Sequence, residues 1–364
     1  MEIDNNKVVS ALSSVMDPAT GQSIISRKMV NDLKIQEHQV QFALATADLP
    51  EAQKSSLNFA CIAAIQAIYP EAEVHIHMQR GEKESSQQSP LPHVKNIIAV
   101  ASGKGGVGKS TIAVNLALGL QKLGFKTGLV DADLYGPSAP TMLGLQGQRP
   151  KVQTVHGSHK IVPLEAYGMP VMSIGFVVEP EQAVILRGPR LAGIIKQFIR
   201  DTIWPSLDYL IIDLPPGTGD IQLTLVQTVP LTGAIIVTTP QELAVVDAVK
   251  AMNMFLLESL NVPILGVVEN MSWFTPAELP DHKYLIFGSG GGEKLAALGE
   301  TKLLAQIPLV QSVRENGDNG KPVVLQEGAD DLQERFLNLA RSLHEQTLMR
   351  NQQMGPTKMV EIKT

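Results

Sequence analysis

The spacing of apolar residues changes rhythm along this chain. Near the start, Val8 to Val15 spaces its apolar positions as a short amphipathic helix, and Asp17-Pro18-Ala19-Thr20-Gly21 has turn chemistry. Val30 to Ile35 and Val40 to Leu44 predict strands, the second alternating Val40, Phe42 and Leu44. Ser55 to Tyr69 predicts a helix with Leu57, Ala60, Cys61, Ala64 and Ile68 on one stripe, and Val74, Ile76 and Met78 alternate as a last strand. Together these predict a compact α+β module over residues 1–78. Residues 79–93 turn polar, with Ser, Gln and Pro, and predict a flexible linker.

From Val94 onward apolar runs alternate with helical patterns. Asn96 to Ala101, Thr127 to Val130, Leu207 to Ile212, Ala234 to Val237 and Ile264 to Val268 read as buried strands. Thr111 to Lys122 reads as a helix, and Leu332, Phe336, Leu339 and Leu343 mark a final helical stripe. The expected fold class is α/β, a doubly wound, mainly parallel sheet over residues 94–348, with ligands at the carboxyl ends of the strands. Residues 349–364 form a polar tail with a proline, and no internal repeat of fixed period is present.

Composition narrows this picture. With 364 residues the chain suits two or three units, and 44% apolar with only 4% aromatic content predicts a mostly aliphatic core. A net charge of −6 argues against nucleic acid as a partner. The one cysteine, Cys61, excludes an internal disulfide and is expected to be a buried structural thiol on its helix stripe. Met1 to Asn5 shows no charged-then-apolar signal pattern, and no apolar run approaches the roughly 20 residues that span a bilayer. The expectation is a soluble, cytoplasmic protein with no membrane partner.

The chemistry concentrates in Gly103-Lys104-Gly105-Gly106-Val107-Gly108-Lys109-Ser110, which fits the phosphate-binding pattern G-x-x-x-x-G-K-[ST]. An apolar strand precedes it, and a helix starting near Thr111 follows, so backbone N–H groups and a helix N-terminus converge on one anion. Lys109 is expected to reach the terminal phosphates of ATP, and the Ser110 hydroxyl to ligate Mg2+. Asp213 ends a strand and is placed to hold Mg2+ through its water shell, while Gly217 beyond it is the candidate for a γ-phosphate-sensing N–H. Asp131 and Asp133 close another strand, and one of them is suited to orient an attacking water. Asn270 follows a strand with an amide that matches the adenine edge, and Pro308 is a further candidate near the base.

The additional Lys104 gives K-G-G-V-G-K-S, which resembles the deviant Walker A branch of P-loop ATPases that contains MinD and ParA. The stretches Val130 to Ser138, Asp213 to Asp220, Glu269 to Phe274 and Gly290-Gly291-Gly292 resemble the Mrp/ApbC family within it. Residues 1–78 are similar to domains associated with iron–sulfur assembly. The resemblance implies a homodimeric, ATP-hydrolysing carrier of a [4Fe–4S] cluster that works with iron–sulfur assembly proteins and apoprotein clients. It further implies that Lys104 reaches the nucleotide of the other subunit, that Asp133 activates water, that Asp131 lies nearer the metal, and that Asn270 reads the base. The family's C-x-x-C is missing: Trp273 to Tyr284 has no cysteine, so two chains cannot supply four thiolates to a bridging cluster. Glu278, Asp281 and His282 are hard ligands that suit such a cluster poorly, and His75 with His77 is expected to be a solvated strand face. The alternative is a MinD/ParA-like positioning or partition switch acting on membrane or DNA.

Overall fold

The computed structural model describes residues 3–18, 20–27, 29–36, 39–46, 51–79, 91–133, 136–155, 157–177, 188–326, 328 and 330–354. Most of the expected linker, the Leu134-Tyr135 pair and the end of the tail from residue 355 lie outside the described residues. The chain divides into two compact units, residues 1–88 and 89–364.

In the first unit α1 (Asn5–Ser13) starts at Asp4, whose side chain caps the helix by accepting the Asn6 N–H at 2.8 Å. β1 (Val30–Gln36) and β2 (Gln39–Ala45) form an antiparallel pair; α2 (Glu51–Gln66) then crosses to β3 (Glu73–Gln79), which runs parallel to β2. Val40, Phe42 and Leu44 alternate into the core as expected, against Val8 and Leu12 of α1. The α2 stripe differs from expectation. Leu57, Cys61 and Ile65, four residues apart, face the core; Ala60 is exposed, and the helix ends before the exposed Ile68. His75 and His77 lie on the exposed face of β3, beside Glu73 and Gln41.

The second unit begins with β4 (Val94–Ser102), α3 (Lys109–Lys122) and β5 (Thr127–Asp131). A short α4 (Ala139–Met142), a hairpin of β6 (Lys151–Val155) and β7 (Ser158–Val162), then β8 (Leu164–Ala166) and β9 (Met169–Ser173) follow. After α5 (Gly188–Asp201) come β10 (Leu207–Asp213), α6 (Asp220–Thr228), β11 (Gly233–Thr238), α7 (Glu242–Leu256) and β12 (Ile264–Phe274). The unit ends with α8 (Gly291–Leu298), β13 (Leu303–Leu309), α9 (Gln311–Asp318) and α10 (Asp330–Gln353). Two bounds depart from expectation: β12 continues six residues beyond Val268, and α10 runs past Leu348 into the expected tail. There Asn351 Nδ2 donates to Asn96 Oδ1 of β4 at 2.9 Å.

Eight strands form one sheet in the order β13-β12-β11-β4-β10-β5-β9-β8, parallel except for β8 against β9. β4 shows why both faces are covered. Ile97, Ala99 and Ala101 pack with Ile195 and Phe198 of α5, Val226 of α6 and Val245, Ala248 and Phe255 of α7. Ile98 and Val100 face the other way, onto Ile112 and Leu116 of α3 and Phe336 and Leu339 of α10. The chain goes from β4 to β5 on one side and later returns to β11 on the other, so the strand order reverses at β4. The carboxyl ends of β4, β10 and β5 meet there, with Asp213 in register with both Val100 and Asp131.

Candidate functional site

The loop between β4 and α3 is shaped by three glycines for separate reasons. Gly106 and Gly108 have φ of 81° and 83°, where side chains are disfavoured. Gly103 lies against α7: a Cβ there would sit 2.1 Å from the carbonyl carbon of Asp247. Gly108 is also the N-cap of α3 and offers no side-chain cap, so the helix's first N–H groups face the loop.

Lys109 opens α3 and is 6% exposed. Its Nζ lies 2.5 Å from Asp213 Oδ1, 3.4 Å from Asp133 Oδ2 and 3.4 Å from Ser110 Oγ. Burial pulls the ammonium's pKa down, but the charges of Asp213 and Asp133 outweigh it and the net shift is upward. Burial likewise raises Asp213, against the opposing pull of Lys109. Asp213 Oδ2 and Asp133 Oδ1 are buried and accept no hydrogen bond among the described residues. Two orphaned carboxylate oxygens beside a hydroxyl and an ammonium form an oxygen-rich set that suits Mg2+ and a phosphate chain.

Asp131, expected nearer a metal, is held by three hydrogen bonds. Its Oδ1 accepts the Asp133 N–H at 3.1 Å, and its Oδ2 accepts the Ala139 N–H at 3.1 Å and the Ser173 hydroxyl at 3.0 Å. Fully buried, with the Asp213 charge nearby, its pKa is pushed up to about 7. Asp131 therefore braces the turn that carries Asp133. Gly217 has φ 92°, and its N–H donates to the Ser102 carbonyl at 2.9 Å, so the expected phosphate-sensing donor is engaged by the strand before the loop.

Lys104 Nζ donates to Gln241 Oε1, at the N-cap of α7, over 3.3 Å. Lys104, Gly105, Gly106, Gly108, Lys109, Ser110, Thr111 and Asp133 line a chamber of about 370 Å³. It shares Gly108, Thr111, Gly136, Ser138 and Met142 with a second cleft of about 560 Å³, which is lined further by Asn270, Met271, Pro308 and Arg314. A charged chamber opening into a larger, mostly apolar cleft matches a triphosphate joined to a base. Asn270 reaches both: it lines the cleft, and its Nδ2 donates to the Val107 carbonyl at 2.9 Å. A Cβ on Gly108 would lie 2.2 Å from that nitrogen, so the amide also props the loop.

Sequence reasoning gave no role to Gln241, Met271 or Glu269. The last carries a signal, a carboxylate directly after the apolar run Ile264 to Val268 and beside Asn270. Glu278, Asp281 and His282 are exposed, and among the described residues no group of three or more His, Cys, Asp or Glu side chains is placed to hold a metal ion. Cys61 is fully buried, and desolvation pushes its thiol up to about 12. Among the described residues no helix is long and apolar enough to cross a membrane.

Comparison with known proteins agrees with this geometry. Residues 93–344 match the family described as NUBPL iron-transfer P-loop NTPase, and residues 5–76 match the family described as iron-sulfur cluster assembly protein. The chain is 44% identical over 329 residues to the iron-sulfur cluster carrier protein of Synechocystis sp., covering 89% of this chain and 92% of that one. Among solved structures it resembles the nucleotide-binding protein of Archaeoglobus fulgidus in complex with ADP (TM-score 0.54, 35% identity, 64% of this chain and 89% of that one). The septum site-determining protein MinD of Pyrococcus horikoshii, complexed with Mg-ADP, shares the fold (TM-score 0.52, 23% identity, 70% of this chain and 98% of that one).

Proposed function

Since the chain belongs to the NUBPL iron-transfer P-loop NTPase family, we propose that it is a Mg2+-dependent ATPase, working as a homodimer in the cytoplasm, that assists the assembly or transfer of iron–sulfur clusters to apoproteins. The observation that carries this reading is Lys109, clasped by Asp213 and Asp133 on the floor of the glycine loop, with one unpaired oxygen left on each carboxylate.

The residues divide the work by position. The N–H groups of Gly103 to Ser110 and of the start of α3 cradle the phosphates, and Lys109 turns from its carboxylates to the terminal phosphates. Ser110 and Asp213 would hold Mg2+, which supplies neutralising charge to the phosphate oxygens. Asp133, beside Lys109 and braced by Asp131, orients the attacking water and takes its proton. Asn270 offers its amide to the adenine edge with Met271 and Pro308 as walls. Gly217 exchanges its Ser102 partner for the γ-phosphate, and Lys104 leaves Gln241 to serve the nucleotide of the second subunit.

The cargo is a different matter. One cysteine per chain, buried in the first unit, leaves a dimer without the four thiolates of a bridging cluster. We therefore place cluster ligation on a partner protein, with residues 273–290 as the surface it meets. The expected result of anaerobic reconstitution with iron and sulfide is no stable stoichiometric cluster on this chain alone, and Mg-ATP-dependent transfer once a thiol-bearing assembly protein is added. A stable cluster on the isolated dimer, by absorbance and iron content, would overturn that assignment. Absence of phosphate release under multiple turnover would overturn the ATPase. A MinD-like positioning switch has only the shared fold behind it.

A further inference from the structure

Two consecutive residues of β12 hold two different structures. Asn270 is 6% exposed and donates to the phosphate loop at Val107. Glu269 is 1% exposed; its Oε2 accepts the Gly292 N–H at 2.6 Å and its Oε1 accepts Gln306 Nε2 at 2.9 Å. Neighbouring side chains on a strand point to opposite faces, so one strand carries both joints. The Glu269 carboxylate sits at the N-terminus of α8, where free N–H groups and the helix dipole favour a negative charge. Neither joint has slack: a Cβ on Gly292 would lie 2.7 Å from Glu269 Cβ, and one on Gly108 would lie 2.2 Å from Asn270 Nδ2.

The strand bends just beyond. Met271 has φ 56°, in the left-handed region that a methionine seldom occupies, and the pairing with β13 shifts between Asn270 and Phe274. Past the bend Trp273 is held between Lys283 Nζ, 4.5 Å from its ring centroid, and the Arg335 guanidinium of α10, 5.0 Å away. Phe274 and Tyr284 exchange backbone hydrogen bonds of 2.9 and 2.8 Å. The segment from 275 to 291 is thus fastened to β12 midway, by Phe274–Tyr284, and at its far end, by Gly292–Glu269. In this segment Leu279, in the loop closed by Tyr284, Tyr284 itself, and Leu285 and Ile286 between the two ties are 43–57% exposed.

We propose that Glu269 is a positioning residue that ties segment 275–291 to the nucleotide loop, so that a shift at the Asn270–Val107 joint is delivered to the exposed apolar surface of that segment. The inference rests on the reading of the site as an ATP site. It assigns Glu269 no contact with nucleotide. Removing its carboxylate uncouples the two ends while the loop keeps its ligand.

Trp273 gives the readout. The chain has two tryptophans, and Trp204, in the core, is removed in a W204F background. The expected result is a change in Trp273 emission and acrylamide quenching when Mg-ATP saturates the protein. Glu269→Ala and Glu269→Asp, the latter one methylene too short for Gly292, are expected to lose that change while calorimetry gives an unaltered Kd for Mg-ATP. Glu269→Gln keeps an acceptor for Gly292 and is expected to retain it; Glu269→Asp decides the matter should the alanine variant not fold. Binding without any Trp273 response in the W204F parent, or an undiminished response in the alanine or aspartate variant, overturns the proposal. No heat of binding in the parent overturns the ATP reading itself, and the coupling with it.

Discussion

Lys109 is the residue on which the site turns. Its ammonium is buried and paired with Asp213 and Asp133, so Lys109→Ala removes a cation fixed at the loop's floor. Turnover is expected to fall by about 100-fold or more, read as phosphate release at saturating Mg-ATP. Asp131 gives a pH prediction. Its pKa of about 7 in the fold lies above its unfolded value of 3.8, chiefly through burial, so the folded chain holds a proton that the unfolded chain has released. That contribution to stability is full below about pH 4 and lost as pH rises through about 7. Between pH 5 and pH 8 the wild type is expected to lose more denaturant resistance than Asp131→Asn, compared by urea midpoints. That the loop lysines, Ser110, Asp213 and Asn270 lie around one loop is legible because each sits next to a strand end in the sequence. The partners of Asp131 are not legible there, because Ala139 and Ser173 are brought to it only by the fold.

At the scale of elements, the site depends on how closely α7 and β12 approach the loop. Gly103→Ala would drive a methyl into the Asp247 backbone. Backbone cannot swing aside as a side-chain tip can, so the loop must lift from α7. The expected outcome is loss of Mg-ATP binding by calorimetry with circular dichroism unchanged. On the far side of the sheet Tyr209 Oη lies 2.6 Å from His344 Nδ1, fixing α10 to β10, and Tyr209→Phe is expected to cost about 1 kcal/mol in thermal or chemical melting. The central strands announced themselves as unbroken apolar runs because helices cover both their faces. The β6–β7 hairpin did not, since its residues are exposed or half-exposed and no apolar stripe marks them. In α2 the alanines blur the stripe, and the buried line runs through Leu57, Cys61 and Ile65, four residues apart.

At the scale of the molecule, the division into a small α+β unit and a parallel-sheet unit follows from the change of hydrophobic period, which the chain displays openly. The proposed action of Lys104 on a second subunit has a direct test. A mixture of Lys104→Ala and Lys109→Ala chains, each with little turnover alone, is expected to regain phosphate release. Mixed dimers pair an intact Lys109 site with a neighbour that still carries Lys104. Failure of the mixture, with mixed dimers verified by mass spectrometry, would confine Lys104 to its own chain and to its contact with Gln241.

The only sulfhydryl of the polypeptide is sealed among Leu57, Ile65 and Phe42 in the first unit. Maleimides therefore find no thiol in the nucleotide-handling half. Where a thiol reagent halts delivery in a purified mixture, the wounded component is the donor or the recipient.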